Sequence, residues 1–147
     1  MIDYVGDESR ATELRVRTVI ELMAFFDFYY EEYAAVSFED ICGVTFDDTI
    51  YEITVDGGYA SVWAVCGLSS VIRRPIISLY PAMNGDNDPV ATVLNRTLQP
   101  RVSHYSPLEP VRIMWTRCTP HVEGQTWRPD HFIPVLMIND VHNSGLS

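Results

Sequence analysis

The sequence contains no lysine: all 10 basic residues are arginines, set against 20 acidic residues for a formal net charge of −10. No side-chain amine is therefore present to accept an isopeptide bond. Nor is there the basic face that would displace counterions from phosphates, which argues against nucleic-acid binding by this segment. The acid is dispersed, with small groups at Glu31-Glu32, Asp47-Asp48 and Asp86/Asp88, and suits a domain whose protein partner is neutral or basic. Cysteine is scarce. Cys42, Cys66 and Cys118 are odd in number and lack framework spacing, which points to a reducing, intracellular setting, nuclear or cytoplasmic. No apolar run reaches the roughly 18 residues of a membrane span, so no membrane partner is expected. The start, Met1-Ile2-Asp3-Tyr4, shows no basic region followed by an apolar one, so no secretion signal is read. Gly57-Gly58 lacks the further glycines and the lysine of a phosphate loop. Neither Asp47-Asp48 nor Asp86/Asp88 continues as a calcium loop. Cys118-Thr119-Pro120-His121 has no second ligand pair for zinc. No metal and no other cofactor is expected.

What is present is a core. With 147 residues, 47% hydrophobic and 12% aromatic, the chain reads as one domain over 1–147. Its polar tail, 139–147, is expected to fray. Asp7 to Tyr33 reads as one long amphipathic helix, with Val16, Val19, Ile20, Met23, Phe26, Tyr30 and Tyr33 stepping by three and four onto the core face. Ser37-Phe38-Glu39-Asp40 resembles a capping box before a short helix that Gly43 would end. Asp47 to Asp56 is ambiguous, because Ile50 to Val55 is strand-like without alternation. A helix is predicted from about Ala60 to Ile72, with Val62, Val65, Cys66, Ser69 and Ile72 inward. Arg73-Arg74 favour its C-terminal end, and Pro75 stops it. Ile76 to Tyr80 follows as a buried strand. Asn84 to Pro89 is a surface loop, Val90 to Leu98 holds a helical turn, and Val111 to Thr116 is a second strand. The last strand comes from the apolar run Phe132 to Ile138. Helices first, then a helix–strand unit, then two strands make an α+β domain, a small β-sheet flanked by helices.

The stretch Trp127-Arg128-Pro129-Asp130-His131-Phe132 leads from a Pro-fixed turn into that last strand. A histidine where loop becomes strand is suited to proton transfer, being rigid on one side and open on the other; a partly buried structural histidine fits the same pattern. A thiolate for it to serve is harder to find. Cys66 falls mid-helix on the apolar face, and Cys42 at a helix C-terminal end, where the dipole disfavours a thiolate. Cys118 falls in a loop.

Ala60 to Pro81, a helix of small residues followed by Arg73-Arg74-Pro75-Ile76 and a strand, resembles the central helix and strand of the ovarian tumour (OTU) cysteine protease family. Trp127 to Leu136 is similar to that family's closing motif, a tryptophan and then a histidine followed by an aromatic residue. Glu8 to Tyr33 resembles its first long helix after the nucleophile helix. Ser70 to Asn84 and Met114 to Arg117 look most like a divergent OTU-like branch that includes vertnin and transposon-associated proteins. The resemblance implies a papain-type cysteine protease fold and, for an active member, cleavage of ubiquitin-type isopeptide bonds. Ubiquitin or a ubiquitin-like protein is then the partner, and His131 the general base, with Trp127, Phe132 and Asp130 packed or binding around it. Two departures stand out. The nucleophile motif that opens the family's first helix is absent here, which reads as an incomplete domain lacking that helix. Ile133 also stands where many members carry Asp or Asn to orient the imidazole. The alternative reading is a non-catalytic interaction module.

Overall fold

A computed structural model of the chain describes residues 8–34, 41, 43, 45–55, 61–102 and 109–135. The Ser37–Asp40 box, Cys42, the Leu136–Ile138 end of the expected last strand and the 139–147 tail lie outside the described residues.

The expected single long helix is two, α1 (Glu8–Ala24) and α2 (Phe26–Ala34). They join at Phe25 without a loop, since the Phe25 N–H bonds Glu21 O and the Tyr29 N–H bonds Phe25 O. The expected core face is also corrected. Val16, Ile20 and Met23 are 52%, 59% and 62% exposed, and Phe26 and Tyr30 are exposed as well. The buried stripe is rotated from it: Thr18, Leu22 and Tyr29 are buried, with Leu14 and Val19 partly so. The neighbouring helix decides this. α1 presses Leu22 and Thr18 onto Gly67, where a Cβ would lie 2.8 Å from Leu22 Cγ. Threonine is tolerated there because its hydroxyl donates to Leu14 O at 2.7 Å.

The ambiguous Asp47–Asp56 stretch is helical, as α3 (Phe46–Thr54). Thr45 caps it by accepting the Asp48 N–H, Asp47 and Asp48 sit in the first turn, and Phe46, Thr49 and Ile53 are buried along one side. A good cap and a buried face outweigh its β-branched composition. α4 (Val62–Ile72) is the central helix. Its expected inward residues are buried, Ile72 partly, but so are Trp63, Ala64, Gly67 and Leu68. A helix apolar all round is enclosed on all sides. It ends as expected: Arg73 takes a left-handed φ of 58°, its N–H bonds Ser69 O, and Pro75 follows.

The sheet has four strands in the order β2-β1-β3-β4. β1 (Ile76–Leu79) and β3 (Val111–Thr116) are parallel, and β2 (Arg96–Leu98) and β4 (His131–Pro134) run antiparallel on the two edges. β3 alternates buried and half-buried residues over its whole length. The Val90–Leu98 turn is α5 (Pro89–Leu94) followed by β2, a three-residue strand that the sequence did not announce. The two strand segments and the Phe132 segment share one sheet, and the whole is α+β, as the element order implied. Among the described residues no helix is long and apolar enough to cross a membrane.

Candidate functional site

β4 enters the sheet at its edge, where His131 pairs with Thr116 and Phe132 with Trp115. Because successive side chains alternate, His131 is exposed while Phe132 is half-buried, its ring edge-on to Trp115 at 5.4 Å. Trp115 is itself buried and donates its indole N–H to Ser78 Oγ at 2.8 Å. Phe132 thus anchors the strand to the core and leaves the imidazole at the surface. The two rings stand 6.4 Å apart.

Asp130 does not orient that imidazole. Its carboxylate accepts the Cys118 N–H (2.8 Å), the Thr119 N–H (3.3 Å) and the Thr119 hydroxyl (2.6 Å). Its own N–H bonds Thr116 O. Arg117 closes the same loop by donating to the carbonyls of Thr119, Pro120 and Arg128. The Thr119 hydroxyl and the Cys118 N–H hold the Asp130 carboxyl at about 2, well below the usual carboxylate range. A depressed folded-state value means that the clasp is fully formed above the ordinary value near 4 and opens as pH falls towards 2. In an NMR titration the Cys118 and Thr119 amides should therefore move with a midpoint near 2. A midpoint near 4 would show the clasp to be absent.

Trp127 is buried and lies edge-on to Tyr80 at 5.5 Å. Asn84 fixes its backbone from both sides: Asn84 Oδ1 accepts the Trp127 N–H at 2.8 Å, and Asn84 Nδ2 donates to Trp127 O at 2.9 Å. Nδ2 also donates to Asp88 Oδ2 at 2.7 Å. Asp88 is buried and caps α5 through the Val90 N–H, with Arg128 Nη1 at 3.7 Å. Burial alone would push Asp88 up. The Asn84 amide, the Val90 N–H and the Arg128 charge outweigh it and hold the carboxyl below its ordinary value. Burial and the Asp88 charge push the Tyr80 phenol up.

The described residues therefore gather the expected site residues along one segment but give them different tasks. Trp127 and Phe132 hold it to the core, Asp130 closes its loop, and His131 faces solvent. No hydrogen bond is made to the imidazole among the described residues, and Ile133, two positions on, is an exposed apolar side chain. Of the described thiols, Cys66 is buried inside α4, and Cys118 is exposed in the loop that Asp130 holds. No group of three or more His, Cys, Asp or Glu suited to a metal occurs among the described residues.

Sequence reasoning missed Asn84 and Asp88, treating their loop as solvated. Asp88-Pro89 carried a signal, a capping carboxylate before a proline in the first helical turn. It also missed a second network. Glu21 takes the Arg101 Nε at 2.7 Å and the Tyr29 hydroxyl at 2.7 Å, and Ser70 Oγ lies 2.6 Å from that hydroxyl. No local pattern could have joined residues 21 and 101.

The OTU domain of vertnin is the family whose model matches this chain, over residues 34–116. That span contains α3, α4, the whole of β1 to β3 and α5; the His131 corner lies beyond it. Vertnin from Bos taurus is 26% identical over 157 residues, covering 92% of this chain and 23% of that protein. Vertnin from Homo sapiens is 26% identical over 161 residues, covering 95% and 22%, and that from Danio rerio 25% over 160 residues, covering 93% and 23%. The chain spans less than a quarter of the length of these curated relatives. No solved structure matches. With more than half of its residues matched, including the helix, Arg-Pro stop and strand at its centre, the chain belongs to the vertnin OTU-domain family.

Proposed function

We propose that this OTU-type domain serves as a protein-binding module and not as an isopeptidase, with ubiquitin or a ubiquitin-like protein as the first partner class to test. One observation supports the reading above others: the imidazole of His131 is exposed, and no side chain among the described residues orients it. A histidine acting on a thiol needs the sulfur within hydrogen-bond reach and a third group fixing its tautomer. Asp130, the adjacent carboxylate, has its oxygens occupied by three donors from the neighbouring loop. Ile133 offers nothing polar.

A second reading rests on Cys118. This exposed thiol is tied to the same corner, since its N–H bonds the carboxylate next to His131. A ubiquitin-derived probe carrying a C-terminal electrophile separates the two. The expected result is no adduct, with this chain or with any longer chain that includes it. An adduct on Cys118 that disappears in His131→Ala would establish the isopeptidase reading. An adduct formed only by a longer chain that includes this one, and lost in the same variant, would place the thiol outside these residues and equally overturn the proposal.

A further inference from the structure

At the end of the sheet away from His131 lies a cavity of about 400 Å³ whose lining includes Arg17, Ile20, Glu21, Arg73, Arg101 and Val102. Its position follows from the strand directions. Arg73 ends α4 just before β1, and Arg101 follows β2, whose Leu98 pairs with Ile76 at the start of β1. His131 pairs with Thr116 at the far end of β3, which runs parallel to β1.

The lining inverts the charge of the molecule. Three of the chain's 10 arginines meet here in a protein of net charge −10. The acid among them, Glu21, is already engaged by Arg101 Nε and Nη2 and by the Tyr29 hydroxyl. That engagement also fixes Arg101. Its guanidinium lies 3.3 Å from the centroid of the Phe25 ring, and its N–H bonds Ser70 Oγ at 2.8 Å. Arg17 and Arg73 remain for a ligand. Among the described residues Arg17 pairs only with Glu13, at 3.6 Å, a surface pair with both side chains more than half exposed, which is readily exchanged. Arg73 is exposed and has no ion pair among the described residues. Beside these charges Ile20 is 59% exposed and Val102 45%. Apolar side chains left in solvent next to one unpaired and one loosely paired guanidinium group mark an interaction site rather than a solvated face.

We propose that this cavity binds an acidic peptide segment of a partner protein, carboxylates meeting Arg17 and Arg73 and an aliphatic side chain covering Ile20 and Val102. A nucleic-acid strand fits less well, because its continuous backbone charge would run from the cavity onto an acidic surface. The site does not depend on whether the His131 corner is catalytic.

The test is fluorescence anisotropy with a labelled peptide of alternating glutamate and leucine. A glutamine–leucine peptide of equal length and a labelled single-stranded oligonucleotide serve as comparisons. The glutamate peptide should bind saturably, and more weakly as salt is raised. Binding should fall about tenfold in Arg17→Gln/Arg73→Asn and stay unchanged in Arg112→Gln, on β3. Asparagine suits the left-handed backbone of position 73, so the helix end is kept; an unchanged melting temperature confirms that the variant is folded. Equal binding of the glutamine peptide, indifference to the double substitution, or oligonucleotide binding in place of peptide binding would each overturn the proposal.

Discussion

Leu22→Ala should destabilise the domain by about 3 kcal/mol, and Gly67→Ala by about 1 kcal/mol, yet the double variant should be more stable than their sum predicts by about 1 kcal/mol. Leu22 is fully buried where α1 crosses α4. Truncating it removes transfer free energy and leaves a cavity. Gly67 is the opposite case. A Cβ there would meet Leu22 Cγ at 2.8 Å, Leu22 Cδ2 at 2.9 Å and Thr18 Cγ2 at 3.2 Å. Alanine gains about 1 kcal/mol of helix propensity over glycine. That gain is set against an overpacking cost of about 1–3 kcal/mol, because the nearest atom is a branch point and not a free chain end. Removing the leucine removes the obstacle, so the new methyl fills part of the hole it left. Equilibrium denaturation of the four proteins measures the coupling. Strict additivity would mean that Gly67 is not what brings the helices together. The same contact bears on the arginine-lined cavity, since Ile20 and Glu21 precede Leu22 on α1.

That contact also explains what the sequence could and could not disclose. The α4–β1 unit was legible because its signals are local: a run of small and apolar residues, Arg73-Arg74 at its C-terminal end, Pro75, then a short apolar strand. β3 was legible for the same reason. The core face of α1 was not. Val16, Ile20 and Met23 form the more apolar stripe, and a hydrophobic pattern selects it. The folded chain instead buries Thr18 and Leu22, because a glycine 45 positions downstream from Leu22 makes room for them. The α3 stretch stayed ambiguous until Thr45 and the burial of Phe46 and Ile53 were placed beside its β-branched residues. β2 is too short to carry a pattern of its own. At the candidate site the sequence pointed to the segment Trp127 to Phe132. It did not indicate which of those residues face inward, since that depends on the register of β4 against β3. The amide and carboxylate that hold the segment, Asn84 and Asp88, are turn formers by composition and reveal a structural task only through partners some 40 residues away.

Asn84→Ala should cost about 3 kcal/mol at neutral pH, a large effect for a half-buried polar residue in a turn. Its side chain makes three hydrogen bonds, two to the Trp127 backbone and one to the Asp88 carboxylate. Each is worth about 1 kcal/mol net, more for the bond to the charged group. Their loss leaves the Trp127 peptide groups and one Asp88 oxygen short of partners beside a buried ring. The dependence on pH supplies the sharper test. Asp88 has a depressed folded-state value, so the stability it contributes is present above its unfolded value near 4 and is lost as pH falls through the folded one. The deficit of Asn84→Ala should therefore shrink in acid, once protonation has removed the carboxylate that the amide serves. Asn84→Asp should behave differently again. It places a second carboxylate against the first, raising the value of one of them above normal. It should be less stable than Asn84→Ala at pH 7 and recover relative to it as pH falls below about 5. Denaturation of the three proteins across this range, with amide exchange at Trp127 and Phe132, measures both effects. A deficit constant with pH in both variants would show that Asn84 acts on the Trp127 backbone alone. The approach to His131 would then be held independently of the buried carboxylate.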